Sequence, residues 1–258
     1  MKKLLTITLL FFVTISFSQR WSAYGIKVSP QNEETVVKLM DDYFSMNKIE
    51  GVTVTLYSIM FTPGDLNFTH EIIFNGETED MAKLYTPDFQ TNMAWQVFAT
   101  KINNFIEPVF SGNGWRNLNF GPENLPFQVV SIYDISDRDN QNKWLEMQNT
   151  IRTKYPRDDY NWMTGGIIVG GPHSDGDTWT VAGYPSYEAY MNAWSTTQKW
   201  IADNPKMVKE REKMNAEIDY STRSNVTRFM RLMVKQLSLI HISEPTRLLS
   251  IDFCLVSV

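Results

Sequence analysis

His70 has the widest chemical range of any residue in this sequence. In the run 68–74, period-two alternation puts Phe68, His70, Ile72 and Phe74 on one face of a strand, and Thr69, Glu71, Ile73 and Asn75 on the other. A histidine on an apolar face can act as a general base, ligate haem iron or serve as a hydrogen-bonded core residue. All three readings stay open. His173 is different in kind. It shares the segment His173-Ser174-Asp175-Gly176-Asp177 with two aspartates, a donor set that can hold a cation. The same residue types dominate ordinary turns, and one turn supplies few ligands, so no metal is assigned.

Other constellations are excluded by spacing. The stretch 165–171, Gly-Gly-Ile-Ile-Val-Gly-Gly, lacks the Lys-Ser/Thr ending of a phosphate loop and does not open a helix. Glycines in a strand admit a bulge or a closely approaching ring or ligand, and Trp162 and Trp179 flank this one. Neither Gly-x-Ser-x-Gly nor His-Glu-x-x-His occurs. What remains is aromatic richness suited to walling a cavity. The candidate ligand-binding residues are Tyr57, Trp95, Trp179, Tyr184 and Trp194.

The elements that must position these residues read as one order used twice: strand, helix, strand, strand, helix, strand. In the first unit, 24–29 is a strand, and Pro30 with Glu33 and Glu34 opens a helix. Its apolar positions Val36, Met40, Tyr43 and Phe44 recur at helical spacing. Strands follow at 52–60 and 68–74, joined by Thr62-Pro63-Gly64-Asp65. A long helical region interrupted by Pro87 leads to a strand at 115–120. In the second unit, 127–135 is a strand and Ser136-Asp137-Arg138-Asp139 starts a helix. Strands at 165–171 and 178–184 flank the His173 turn. Helices at 186–203 and from Pro205 precede a last strand at 226–234. Pro87-Asp-Phe-Gln…Met93-Ala-Trp95 echoes Pro185-Ser-Tyr-Glu…Met191-Asn-Ala-Trp194, which favours duplication over two unrelated halves.

This order is the ferredoxin-like one. In tandem it resembles the α+β barrel superfamily that includes the antibiotic-biosynthesis monooxygenases and their stress-response relatives, across residues 24–235. The resemblance implies an α+β fold of two ferredoxin-like βαββαβ units, 19–124 and 125–236, packed as a fused α+β barrel with helices outside. Haem-degrading members would place a histidine with an asparagine and a tryptophan around a flat cofactor. Those three have no matching positions here, so that activity is not carried over.

Both ends read as separable. Met1-Lys2-Lys3 followed by an apolar run, with Ser16 and Ser18 before a cut at Gln19, has the pattern of a secretory signal peptide over 1–18. Residues 237–247, Leu-Ser-Leu-Ile-His-Ile-Ser-Glu-Pro-Thr-Arg, match the in-frame translation of a transposase-type sequencing adapter. The native chain is therefore expected to end near Gln236, with 237–258 a read-through tail. That tail holds the lone cysteine, Cys254, so thiolate chemistry is not expected of the native part. With 24 basic against 29 acidic residues, net −5, and no basic run, the chain lacks the cationic footprint of a nucleic-acid binder.

The expectation is an exported, periplasmic or secreted, monomeric protein. It would hold a small apolar or aromatic molecule between sheet and helices, in a binding or stress-related role with no assignable reaction. It is expected to need no cofactor, to bind no nucleic acid and to sit in no membrane after signal cleavage. The alternative is a cofactor-free or haem-using oxygenase or isomerase with His70 as base or ligand. A third reading, partner binding, would use free strand edges at 115–120 or 226–234.

Overall fold

The computed structural model describes residues 19–63, 66–123, 125–135, 137–172, 176–220 and 225–236. The expected signal peptide, the tail beyond Gln236, and His173 with Asp175 lie outside the described residues. Eight strands carry the fold: β1 Arg20–Val28, β2 Val52–Phe61, β3 His70–Gly76, β4 Ile106–Phe120, β5 Phe127–Tyr133, β6 Asn161–Gly170, β7 Thr178–Tyr184 and β8 Asn225–Gln236. All pair antiparallel, and they close on themselves in the order β1-β3-β2-β8-β5-β7-β6-β4. Closure leaves no open edge. β4 pairs with β1 and β6, and β8 with β2 and β5, so the two edges suggested for partner binding are both occupied.

Helices cover the barrel from outside. α1 Glu33–Met46 follows a single 3-10 turn at Pro30–Asn32, and Glu33 and Glu34 lie in its first turn as the helix dipole favours. The long helical region anticipated around Pro87 is three helices, α2 Thr78–Ala82, α3 Pro87–Gln90 and α4 Met93–Ile102. Two side-chain caps explain the breaks: Thr86 Oγ1 accepts from the Phe89 N–H at 3.3 Å, and Asn92 Oδ1 accepts from Trp95 N–H at 3.2 Å. α5 Arg138–Lys154 starts where expected, with Asp137 accepting from the Asn140 N–H at 2.8 Å. The expected helix over 186–203 is two, α6 Tyr187–Met191 and α7 Ala193–Asp203, divided at Asn192, and α8 Pro205–Asn215 follows.

Three apolar clusters result from this layering. Outside β1, β3 and β2, α1 and α4 bury Val36, Met40, Phe44 and Phe98 against Ile26, Leu56, Ile72 and Phe74. On the opposite side, α5 and α8 bury Trp144, Met147, Ile151 and Met207 against Trp162. The third lies inside the barrel: Tyr57, Val130, Ile132, Trp179, Val181 and Met230. The alternation on β3 is as read from the sequence, because Ile72 and Phe74 join the outer cluster while Ile73 packs against the inner one.

β4 is far longer than the six residues expected. Its glycines, Gly112 and Gly114, are where neighbouring strands and rings come close. A Cβ on Gly114 would stand 2.0 Å from the Gly166 carbonyl oxygen and 2.6 Å from the Trp21 ring. The β4–β6 register shifts on either side of this point, between Asn113 and Gly114 and between Arg116 and Leu118. The glycines of 165–171 act likewise. Gly165 lies under Trp179 and Gly166 under Trp115. Trp162 is not over them; its indole instead carries the Arg152 guanidinium, 3.7 Å from the ring centroid.

Candidate functional site

The barrel interior holds a cavity of about 120 Å³. It exists because inward positions of the strands alternate bulky and small residues. Trp21 and Ala23 come from β1, Thr55 and Tyr57 from β2, Val130 and Ile132 from β5, and Trp179 and Val181 from β7. Trp21 and Trp179 meet edge to face, centroids 6.2 Å apart and planes at 88°. Each ring can lie so close to the wall because a glycine faces it, Gly114 for Trp21 and Gly165 for Trp179. The indole N–H groups of both are buried and have no hydrogen-bond partner among the described residues. Two unpaired donors on the rings that wall an apolar cavity are an unusual expense, since a buried unsatisfied donor costs on the order of 1–3 kcal/mol.

The polar wall is a buried ion pair. Arg228 Nε donates to Glu71 Oε2 at 2.9 Å, and Arg228 Nη2 reaches Oε1 at 2.8 Å and Oε2 at 2.7 Å. The two residues are 2% and 5% exposed at their side chains, Glu71 the deeper. Beside them the Tyr57 phenol accepts a hydrogen bond from Gln128 Nε2 at 2.9 Å. Burial raises the Tyr57 pKa well above the ordinary phenol range, so the group stays neutral. A carboxylate held by a fork of guanidinium donors is an anchor, not a free base. At the cavity's partly exposed end, Arg116 and Glu123 pair at 3.0 Å.

The sequence-derived candidates disperse. Tyr57 and Trp179 line the barrel cavity. Tyr184 lines a second cavity, between the outer face of the β5-β7-β6 region and the helices α5, α7 and α8, and its phenol is pushed up to about 12, chiefly by burial. Trp95 packs at the margin of the first outer cluster, against Phe89 and Phe98. Trp194 is 75% exposed. His70 is buried on the helix side of β3, with Nδ1 3.0 Å from Thr69 Oγ1, and it lines neither cavity. Haem held by a histidine needs that histidine at a cavity wall. His70 is the one histidine among the described residues, so these residues do not fit that arrangement.

Asp177, expected in a possible cation-binding turn, accepts from the Ile135 N–H at 3.3 Å, while burial raises its carboxyl pKa. Sequence reasoning missed Glu71, Arg228, Trp21 and Gln128. A charge in mid-strand among apolar neighbours was the available signal for the first two.

No family model matches the chain, and no curated protein is similar to it. Solved structures are similar in fold. A monooxygenase-like protein of Fusobacterium nucleatum subsp. nucleatum is 13% identical with a TM-score of 0.51, covering 86% of this chain and 95% of its own. One from Lactobacillus acidophilus is 10% identical with a TM-score of 0.53, covering 84% and 95%. An anthrone oxidase-like protein is 10% identical with a TM-score of 0.50, covering 87% and 97%. At these identities the likeness extends to the fold alone: the chain is an α+β barrel of the ferredoxin-like kind.

Proposed function

We propose that this chain is an exported small-molecule-binding barrel built of two fused ferredoxin-like units, 19–124 and 125–236. The strand order supports the fusion. β4-β1-β3-β2 and β8-β5-β7-β6 run in the same internal order, and the two runs join through β2–β8 and β6–β4. The closed ring also supports a monomer, because one chain supplies every strand pairing. Export rests on the leader pattern alone.

The ligand is a compact, one-ring aromatic molecule carrying a hydrogen-bond acceptor, held inside the barrel. The observation that carries this is the pair of indole N–H groups without a partner among the described residues, Trp21 and Trp179, on the walls of an apolar cavity. A volume of about 120 Å³ is of single-ring scale, since an engineered cavity of about 150 Å³ takes benzene. The ring would replace empty space with dispersion contacts, and its acceptor would take the indole protons.

Acetophenone and its hydrocarbon isostere α-methylstyrene provide the test, titrated calorimetrically into the full chain. Acetophenone should bind the more tightly. The double variant Trp21→Phe/Trp179→Phe should reduce it to the level of the hydrocarbon. Equal affinity of the two probes for the wild-type protein, or binding of neither, would remove the proposal.

A further inference from the structure

We infer that the second cavity, between the sheet and helices α5, α7 and α8, is a binding site for a planar organic anion, an aromatic ring system bearing a carboxylate. It is a different site from the barrel interior, with a volume of about 310 Å³. Its chemistry is set by three guanidinium groups: Arg152 on α5, Arg157 in the loop before β6, and Arg211 on α8.

Their charges are poorly matched by the protein. Arg157 is paired with Asp159, Nε to Oδ1 at 2.8 Å. Neither Arg152 nor Arg211 has a carboxylate within ion-pair distance among the described residues. Arg152 is held instead by neutral groups. Its Nε donates to Gln148 Oε1 at 3.1 Å, its Nη1 donates to the Tyr160 hydroxyl at 2.5 Å, and its plane lies over Trp162. A weakly hydrated guanidinium stacks readily on an indole, so Trp162 explains how the group is positioned. It does not neutralise the charge. Burial lowers the Arg152 pKa, and the positive charges of Arg157 and Arg211 lower it further. With Arg157 matched by Asp159, Arg152 and Arg211 carry the unmatched charge at this cavity, and an anion entering it would relieve both.

The rest of the lining selects a flat molecule. Trp144, Trp162 and Trp200 supply ring faces, and Tyr160 and Tyr184 stack on each other with centroids 6.1 Å apart. Arg157 lies over both Tyr160 and Trp200, at 4.3 and 5.4 Å from their centroids. A carboxylate can take the free Nη2 edge of Arg152 in a charge-assisted bond while its ring system lies among these aromatic faces.

The probes are 2-naphthoate and its neutral isostere 2-naphthamide, titrated into the full chain by calorimetry at low salt. Naphthoate should bind at least roughly tenfold more tightly, the scale of a hydrogen bond to a charged group, and the preference should shrink as salt is added. Arg152→Met should abolish the preference while leaving naphthamide binding in place. Arg211→Met, at an exposed position whose loss spares the fold, should reduce the preference even if Arg152→Met fails to fold. Equal affinity of the two probes for the wild-type protein, no naphthoate binding, or a full preference surviving in Arg211→Met would each overturn the inference.

Discussion

Arg228 reaches Glu71 across an intervening strand. β3 and β8 are not neighbours, because β2 lies between them, and the register places Tyr57 of β2 directly opposite Glu71. The ion pair therefore ties the two runs of strands from inside the barrel, 157 residues apart in sequence. Apolar packing has no directional preference of this kind, whereas a bidentate pair fixes which strand lies opposite which.

Such a pair is costly to break and cheap to replace. Arg228→Met leaves the Glu71 carboxylate buried and unpaired, and should destabilise the protein by about 3–5 kcal/mol. The double variant Glu71→Leu/Arg228→Met removes both charges and should regain most of that loss. Urea denaturation followed by circular dichroism checks both; a double variant as unstable as the single one would contradict the argument.

Gly165 should tolerate no side chain. A Cβ there would lie 1.8 Å from the Trp115 carbonyl oxygen and 2.6 Å from the Trp179 ring, and the first of these is backbone that cannot move aside. Gly165→Ala should cost about 1–3 kcal/mol, in the range of core overpacking. Gly183→Ala is the control, since its nearest neighbour would be Leu125 Cβ at 3.3 Å, and its effect should stay within about 1 kcal/mol. Thermal unfolding of the pair decides; comparable losses would mean that Gly165 is not the close-approach point described.

The alternation of elements was legible because each apolar period is unbroken: Val36, Met40 and Phe44 on α1, and Ile72 and Phe74 on β3. Which face meets ligand was not. The sequence marks the Phe68–His70–Ile72 face as apolar and hence interesting, but a barrel covered by helices has two apolar layers, and pattern alone does not say which is hollow. The cavity lies on the Glu71–Ile73–Asn75 face. Glu71 makes that face look solvent-bound until its partner is known, and its partner arrives from a strand at the far end of the chain. β4 was half missed, its expected span being 115–120 alone, and the added stretch holds Gly112 and Gly114, whose close approach to β6 and Trp21 only the fold reveals.

Tyr57 and Gln128 join β2 to β5, strands from different halves of the chain, through one buried hydrogen bond. Tyr57→Phe keeps the ring and removes the acceptor. The Gln128 amide then retains only a long contact to the Leu125 carbonyl at 3.4 Å. A loss of about 1–2 kcal/mol is expected, the cost of leaving a buried amide donor poorly satisfied. Tyr57→Phe/Gln128→Leu, which removes both polar partners, should lose less than Tyr57→Phe alone. Urea midpoints of the two variants check this, and the reverse ranking would show that packing, not the hydrogen bond, dominates at this position.

His70 makes stability depend on pH in a direction that can be worked out. Thr69 Oγ1 accepts from the Val28 N–H at 2.8 Å and lies 3.0 Å from His70 Nδ1, with the Val28 and Ile26 carbonyl oxygens also within its reach at 3.4 and 3.5 Å. His70 Nε2 is buried and has no hydrogen-bond partner among the described residues. Burial holds the imidazole pKa below its ordinary value; the charge of Glu33 opposes this and that of Arg231 adds to it. The unfolded chain therefore binds the proton more readily than the folded one. Stability is full above the unfolded value of about 6.5 and is lost as pH falls through it, levelling off only below the folded pKa. The half-buried carboxyls of Glu77 and Asp177 are raised by desolvation and act with the opposite sign, which makes the comparison with a His70 variant the decisive one. The His70 contribution is read in the window around the ordinary imidazole value, roughly pH 5.5 to 7.5. Unfolding free energy measured across that window should fall on acidification for the wild-type protein and fall less for His70→Gln. Parallel curves for the two proteins would mean that His70 keeps an ordinary pKa, and with it that the imidazole is open to water or to a charge partner.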